Sequence, residues 1–424
     1  MKKSVLFLCM VILICLAAPA RAANSKTELN VWAFSWTERA LQDLKQRFEA
    51  TNPEITVNIE PVDFSSFQRK FLTVMAGGGE VPDVITVSSS WAGALFNSGG
   101  ITALDEFTDP AYIKTFLPTA MQIYNYKGRQ YGIPLDIDIM VMFYRSDLID
   151  PVLKSLGMKS FPKTWDKFIE LALAISNREI TKHDTGHFAL ALSSNDVYTL
   201  YTGYIVPAGG RILSDNLGQV MFQKPNAVKG VEYYCDLINK YKVAMLWNGA
   251  FGDILSALKS GFITMHPIGP WYREELKANM PELAGKWKIA LMPTPTGKGP
   301  YSGLTGTCLA IPEGSKHKSA AWKYIRFMTE DKDTLLKYFK MVGSPIPQPK
   351  LWSDKAFAAT DPYFKQPIYK TILHAIKNSA ATELVPEQKV LDILGNAQEK
   401  IIRSDKNTQM ILDEAAHEAN QYLK

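Results

Sequence analysis

Between residues 27 and 90 the chain alternates strand and helix signals, and this alternation limits its fold more than any other property of the sequence. "TELNVWAF" (27–34) carries the β-branched and aromatic residues of a strand. "ERALQDLKQRFEATNP" follows with Ala40, Leu41, Leu44 and Phe48 at helical spacing, and Asn52-Pro53 stops it. "EITVNIEPV" (54–62) alternates as a second strand, "FQRKFLTVMAGGG" is a second helix closed by glycines, and "PDVITVSSS" (82–90) is a buried third strand. Such an order implies a mainly parallel α/β sheet with right-handed crossovers. Ligands of these sheets sit beyond the carboxyl ends of the strands. Here those ends carry Trp36, Asp63, Ser90 and Trp91.

The same grammar returns from about 141 to 300. It comprises the strand "VMFYRSDLI", the helix "TWDKFIELALAIS" capped by Thr164, the strand "HFALALSS" and the helix "AVKGVEYYCDLINKY". Asp253 reads as the N-cap of "ILSALKS", Gly261 as its stop and "FITMHPI" as the next strand. That strand ends at Gly269-Pro270, so Trp271 and Tyr272 stand where a ring can protrude instead of packing. With 424 residues the chain has room for two or three domains with large cores. The two regions share a pattern without being a tandem repeat.

Residues 1–23 read as a secretory signal peptide: Lys2 and Lys3 precede an apolar run from Val5 to Ala18, followed by Ala20-Arg21-Ala22. The run is short for a membrane span. Ile14 before Cys15 argues against a lipid anchor, so the expectation is a soluble periplasmic or extracellular protein cleaved near Ala22-Ala23. Loss of Lys2, Lys3 and Arg21 leaves 44 basic against 42 acidic side chains, a net charge of about +2. Near-neutrality gives no basic face for nucleic acid. Only Cys235 and Cys308 remain, and two buried thiols are favoured over a disulfide.

Several stretches, in order, resemble the extracellular solute-binding proteins of ABC importers, the maltose-binding-protein-like family 1. They are "PDVITVSSSWAGALFNSGGITALDEF", "GRQYGIPLDIDIMVMFYRSDLI", "FPKTWDKF", "ITMHPIGPW", "KHKSAAWKYIRFMT" and "ILDEAAHEANQYL". Arg145-Ser146 departs from the family's Asn-Lys. The resemblance covers essentially the whole chain after the signal. It implies a two-lobed periplasmic-binding-protein fold of type II, monomeric and without cofactor, closing over a small molecule and delivering it to ABC permease transmembrane subunits. The expected lobes are discontinuous, 24–137 plus 305–345 and 141–302 plus 348–424, with the hinge near 136–141, 301–312 and 343–350. Gly303 and Gly306 suit a hinge.

A sugar presents C–H faces that lie on aromatic rings and hydroxyls that need directed hydrogen bonds, so its site combines rings with short polar side chains. The resemblance places a stacking tryptophan at Trp271 and a hydroxyl-binding acid at Asp138. Asp136, two residues earlier, faces the same side if the segment is extended; a hinge salt bridge or a helix cap is the competing reading for both. Ser90 and Trp91 match polar contacts after the third strand, although Ser90 also suits a helix cap. Trp36, Asp63, Tyr201, Trp247, Tyr272, Tyr301 and Gly303 complete the candidate ligand-binding set. Glycerol 3-phosphate or a glycerophosphodiester is the alternative ligand, and a secreted glycoside hydrolase using two carboxylates is the alternative class. "HDTGH" offers His183 and His187 four apart but lacks the glutamate of a zinc helix, and "AGGGEVPD" lacks the Lys-Ser/Thr of a phosphate-binding loop.

Overall fold

The structure is a computed structural model that describes residues 26–176, 187–247, 251–404 and 407–423. The signal segment and His183 therefore lie outside the described residues.

Two five-stranded sheets flanked by helices organise the chain. In the first, Thr27–Phe34 lies between Ile55–Val62 and Val84–Ser88 and is parallel to both, as the alternation predicts. Thr307–Ala310 then enters antiparallel beside Val84–Ser88, and Ile133–Pro134 forms the edge. In the second sheet the order is Trp287–Leu291, Val141–Arg145, Ile263–Ile268, Phe188–Ser193 and Ala244–Trp247. Its last three strands are parallel and its first two pairings antiparallel. Both sheets are thus mixed. Strands joined by crossover helices run parallel, whereas those that enter from another part of the chain need no crossover and run antiparallel.

Helix boundaries follow local chemistry. Asn52 closes Ser35–Thr51, and Gly78, at φ 65°, closes Phe64–Gly77. Ser88, not Ser90, caps Ser89–Asn97, its hydroxyl accepting from the Ser90 N–H. The helix expected to start after Asp253 already begins at Phe251. Trp36 falls in the first turn of its helix, two residues beyond the end of the first strand.

Three segments run side by side between the sheets. Asp138 and Thr305 exchange both backbone hydrogen bonds, at 2.8 and 2.9 Å, and the Ile137 N–H donates to the Pro345 carbonyl at 2.8 Å. Gly306 must be glycine, because a Cβ there would lie 3.1 Å from Ile137 Cα and closer still to the Asp136 carbonyl oxygen. On the far side of the third segment, Phe339 stacks on Phe357 at 4.1 Å and meets Tyr369 at 4.7 Å.

Candidate functional site

The carboxyl edges of the two sheets face a common cavity of ≈ 370 Å³, toward the small end of the ~300–1,000 Å³ typical of small-molecule pockets. Phe64, Ser89, Ser90 and Trp91 line it from the first sheet's side, and Asn195, Tyr198, Tyr201 and Thr202 from the second's. Thr305 of the central segments and residues from Thr382 to Asp392 complete the wall. The tyrosine side is built by a sharp local sequence: Phe188–Ser193 ends, Asp196 accepts from the Thr199 N–H at 3.0 Å, and the helix Val197–Leu200 begins. It continues as a π turn over Tyr201–Ile205, a widening often found at functional sites. Tyr198, Tyr201 and Thr202 have the i, i+3, i+4 spacing of one helical face. The Tyr198 hydroxyl lies 3.0 Å from the Thr305 hydroxyl.

Asp138 is half-buried beside this wall, through its backbone pairing with Thr305. The Trp271 indole N–H donates to its carboxylate, and the Ile139 N–H adds a bond at 3.0 Å. Gly269 makes the pairing possible, since a Cβ on it would stand 2.5 Å from both Asp138 Oδ2 and Trp271 Nε1. Burial, and after it the Asp136 charge, push the Asp138 carboxyl well above the usual range, against those two donors. Glu383 accepts from Tyr201 Oη and, at 2.6 Å, from Arg211 Nε. The residues lining the cavity include Glu383 and Asp392 and, among the described residues, no Lys, Arg or His.

The twelve expected site residues separate into groups. Ser90, Trp91 and Tyr201 line the cavity, and Trp271 and Asp138 meet next to it. Trp36 is 48% exposed and stacks on Phe34 at 4.7 Å and against the cavity residue Phe64 at 5.4 Å, just outside the lining. Asp63 is exposed and caps its helix, accepting from the Ser65 N–H at 3.0 Å. Trp247 is half-buried against His266 at 6.2 Å.

Four others are not placed as expected. Asp136 is 3% exposed and turned into the first lobe: one oxygen accepts from the Thr307 N–H at 2.9 Å and the other from Tyr338 Oη at 2.7 Å. It does not share a face with Asp138, because the chain leaves the strand Ile133–Pro134 before reaching either acid, and alternation no longer governs. Tyr272 and Tyr301 are buried in the apolar core around the second sheet, where ring area outweighs any benefit of exposure. Gly303 pairs with Ala380 in a short two-stranded ribbon and is tightly packed against Thr382 and Thr202. The residues missed by sequence include Asn195, Tyr198, Thr202, Thr305, Thr382 and Glu383. Asn195 and Tyr198 come just after the carboxyl end of a strand and obey the rule that located Trp271.

This arrangement, two sheet edges facing a polar and aromatic cavity across paired connecting strands, defines a two-lobed binding protein. Residues 35–334 match the family model of bacterial extracellular solute-binding proteins, and the chain belongs to that family. It is similar to the lactose-binding protein of Rhizobium radiobacter, with 25% identity over 70% of this chain and 69% of that one. It is also similar to the arabinooligosaccharide-binding protein of Bacillus subtilis, with 23% identity over 98% and 97% of the two chains. Among solved structures, the sugar-binding protein MalE of Xanthomonas citri superposes with a TM-score of 0.78 at 21% identity, over 94% of this chain and 97% of that one, and shares its fold. These relatives are binding proteins, not enzymes, and the glycoside hydrolase reading is set aside on that ground. No helix among the described residues is long and apolar enough to cross a membrane.

Proposed function

We propose that the protein captures a carbohydrate in the cavity between its lobes and presents it to the transmembrane subunits of an ABC importer. The observation that carries this reading is the cavity's composition. An indole and two phenols stand among Ser90, Asn195, Thr202, Thr305 and Thr382, which is the mixture of flat apolar faces and short hydrogen-bonding groups that a sugar ring requires. The sugar-binding relatives support the same class. A phosphorylated solute suits the site less well, because the lining carries Asp392 and, among the described residues, no Lys, Arg or His to meet its charge.

In this reading the lobes comprise 24–137 with 305–345 and 141–302 with 348–424, and the paired backbone at Asp138 and Thr305 is part of the hinge. Ligand favours the closed form only as far as it binds that form more tightly. The protein acts as a monomer, outside the cytoplasm, after removal of residues 1–23. Isothermal titration with lactose, maltotriose, arabinotriose and glycerol 3-phosphate tests the assignment. One-to-one binding of a neutral sugar, recovered unchanged by chromatography, is expected; binding of glycerol 3-phosphate alone, or release of shorter sugars, would overturn it.

A further inference from the structure

Residues 380–387 leave and re-enter the second lobe, between the helices Ile368–Lys377 and Gln388–Arg403, yet their middle is held by the first lobe. Leu384 is buried in the aromatic core of Phe34, Phe67 and Trp91. The Val385 backbone lies directly on the helix Ser89–Asn97, so that a Cβ on Gly93 would stand 2.7 Å from its carbonyl carbon and 2.8 Å from its nitrogen. Asn97 Nδ2 donates to Glu387 Oε1 at 3.0 Å. A glycine inside a helix costs about 1 kcal/mol relative to alanine, and here the close approach of Val385 supplies its reason.

The second lobe grips the same strap through Glu383. Its carboxylate accepts from Tyr201 Oη and from Arg211 Nε, and Arg211 is held in turn by Asp215 at 2.5 Å. Thr382 and Glu383 separate the ligand cavity from a second, larger inter-lobe space of ≈ 990 Å³, lining both. Val385 also faces the ligand cavity, whereas Arg211 lines only the larger space and Gly93 lines neither.

We infer that residues 380–387 form a clamp bridging the two lobes, and that Gly93 and Arg211 are positioning residues that bias the protein toward the arrangement in which both lobes grip this segment, without touching ligand. The inference rests on the cavity being the binding site, but not on the ligand being a sugar. Two grips act in series on one short segment, so loosening either frees the lobes to part. Each grip can be removed separately: Gly93→Ala displaces Val385 while improving helix propensity, and Arg211→Gln removes a charge-assisted contact.

The test uses the ligand-free protein from residue 24 onward carrying Gln46→Cys and Lys167→Cys, both exposed, on helices of opposite lobes. Spin labels attach there and not to the buried Cys235 and Cys308, and pulsed electron resonance reads the inter-lobe distance. Gly93→Ala and Arg211→Gln should each raise the ratio of long to short distances by about fivefold or more, as loss of one charge-assisted bond would. Melting temperatures should stay within a few degrees of the parent, and Arg211→Lys should restore part of the short-distance population. Distance distributions of both variants that superimpose on the parent would overturn the clamp. So would a shift accompanied by wholesale loss of melting temperature in both, since the role would then be structural. No sugar is present, so a failed ligand assignment leaves this result unaffected.

Discussion

Replacing Asp136 by asparagine separates a buried structural acid from a ligand-binding one. Burial pushes this carboxyl from 3.8 up to about 6, against the bonds from Tyr338 and Thr307. Below about pH 4 the group is protonated in both folded and unfolded chains and stability is unaffected. Between about pH 4 and 6 the unfolded chain releases the proton while the folded protein keeps it, so stability falls as pH rises; above about 6 both forms are ionised and the loss is complete. About two pKa units at 1.36 kcal/mol each give roughly 3 kcal/mol. The substitution also relieves the Asp136 charge that Asp138 feels, which adds in the same direction. The new amide can still accept from the Thr307 N–H, and the Tyr338 hydroxyl can rotate to accept from its NH₂ group.

Asp136→Asn, which stays neutral at every pH, should therefore lie close to wild type at pH 4 and exceed it at pH 7 by up to about 3 kcal/mol, because the net cost of ionising Asp136 already includes its bonds from Tyr338 and Thr307. The variant should lose the decline that the parent shows from pH 4 to 6. Urea titrations of both proteins at half-unit steps across pH 4–7 measure the difference, in which other titrating groups largely cancel. Parallel curves would refute the reasoning. A large fall in ligand affinity with no change in pH dependence would return Asp136 to the binding site.

Trp271→Ala should weaken binding by about 1–3 kcal/mol through lost ring contact. Trp271→Phe, which keeps a ring but frees Asp138, should fall between; calorimetric affinities equal to wild type would remove Trp271 from the site. Gly306→Ala should cost about 1–3 kcal/mol from overpacking against the Asp136 carbonyl, seen as a melting point lower by several degrees, and an unchanged melting point would contradict the close approach. Cys235 and Cys308 are free, buried and in different cores, and burial pushes both thiols up. Two thiols should react with a chromogenic disulfide only after denaturation, and rapid reaction in the native protein would contradict their burial.

Particular residues show how far sequence reasoning reaches. Ala40, Leu41, Leu44 and Phe48 have the helical spacing that buries them, and Thr27–Phe34 and Ile55–Val62 pair in full register, because periodicity and turn chemistry are local. Trp91 and Trp271 are legible because each stands just past the carboxyl end of a strand, a position that turn residues mark in the sequence. Asp136 is not legible, because its partners, Thr307 and Tyr338, lie 171 and 202 residues away, and no local pattern encodes them. The segment "SAATELVPEQ" has neither helical nor alternating periodicity and reads as a linker. Its importance comes entirely from two distant surfaces that meet on it.

The strand Thr307–Ala310 lies inside the first sheet, between Val84–Ser88 and Ile133–Pro134, although the other strands of that sheet all come from the first third of the chain. A growing polypeptide shorter than 307 residues has nothing to fill that slot. The open flank of Val84–Ser88 then waits for most of translation before it is covered, and such distant pairing is slow to form. The first sheet therefore closes only once residues from both ends of a long stretch of chain, Val84–Ser88 and Thr307–Ala310, have been made and brought together.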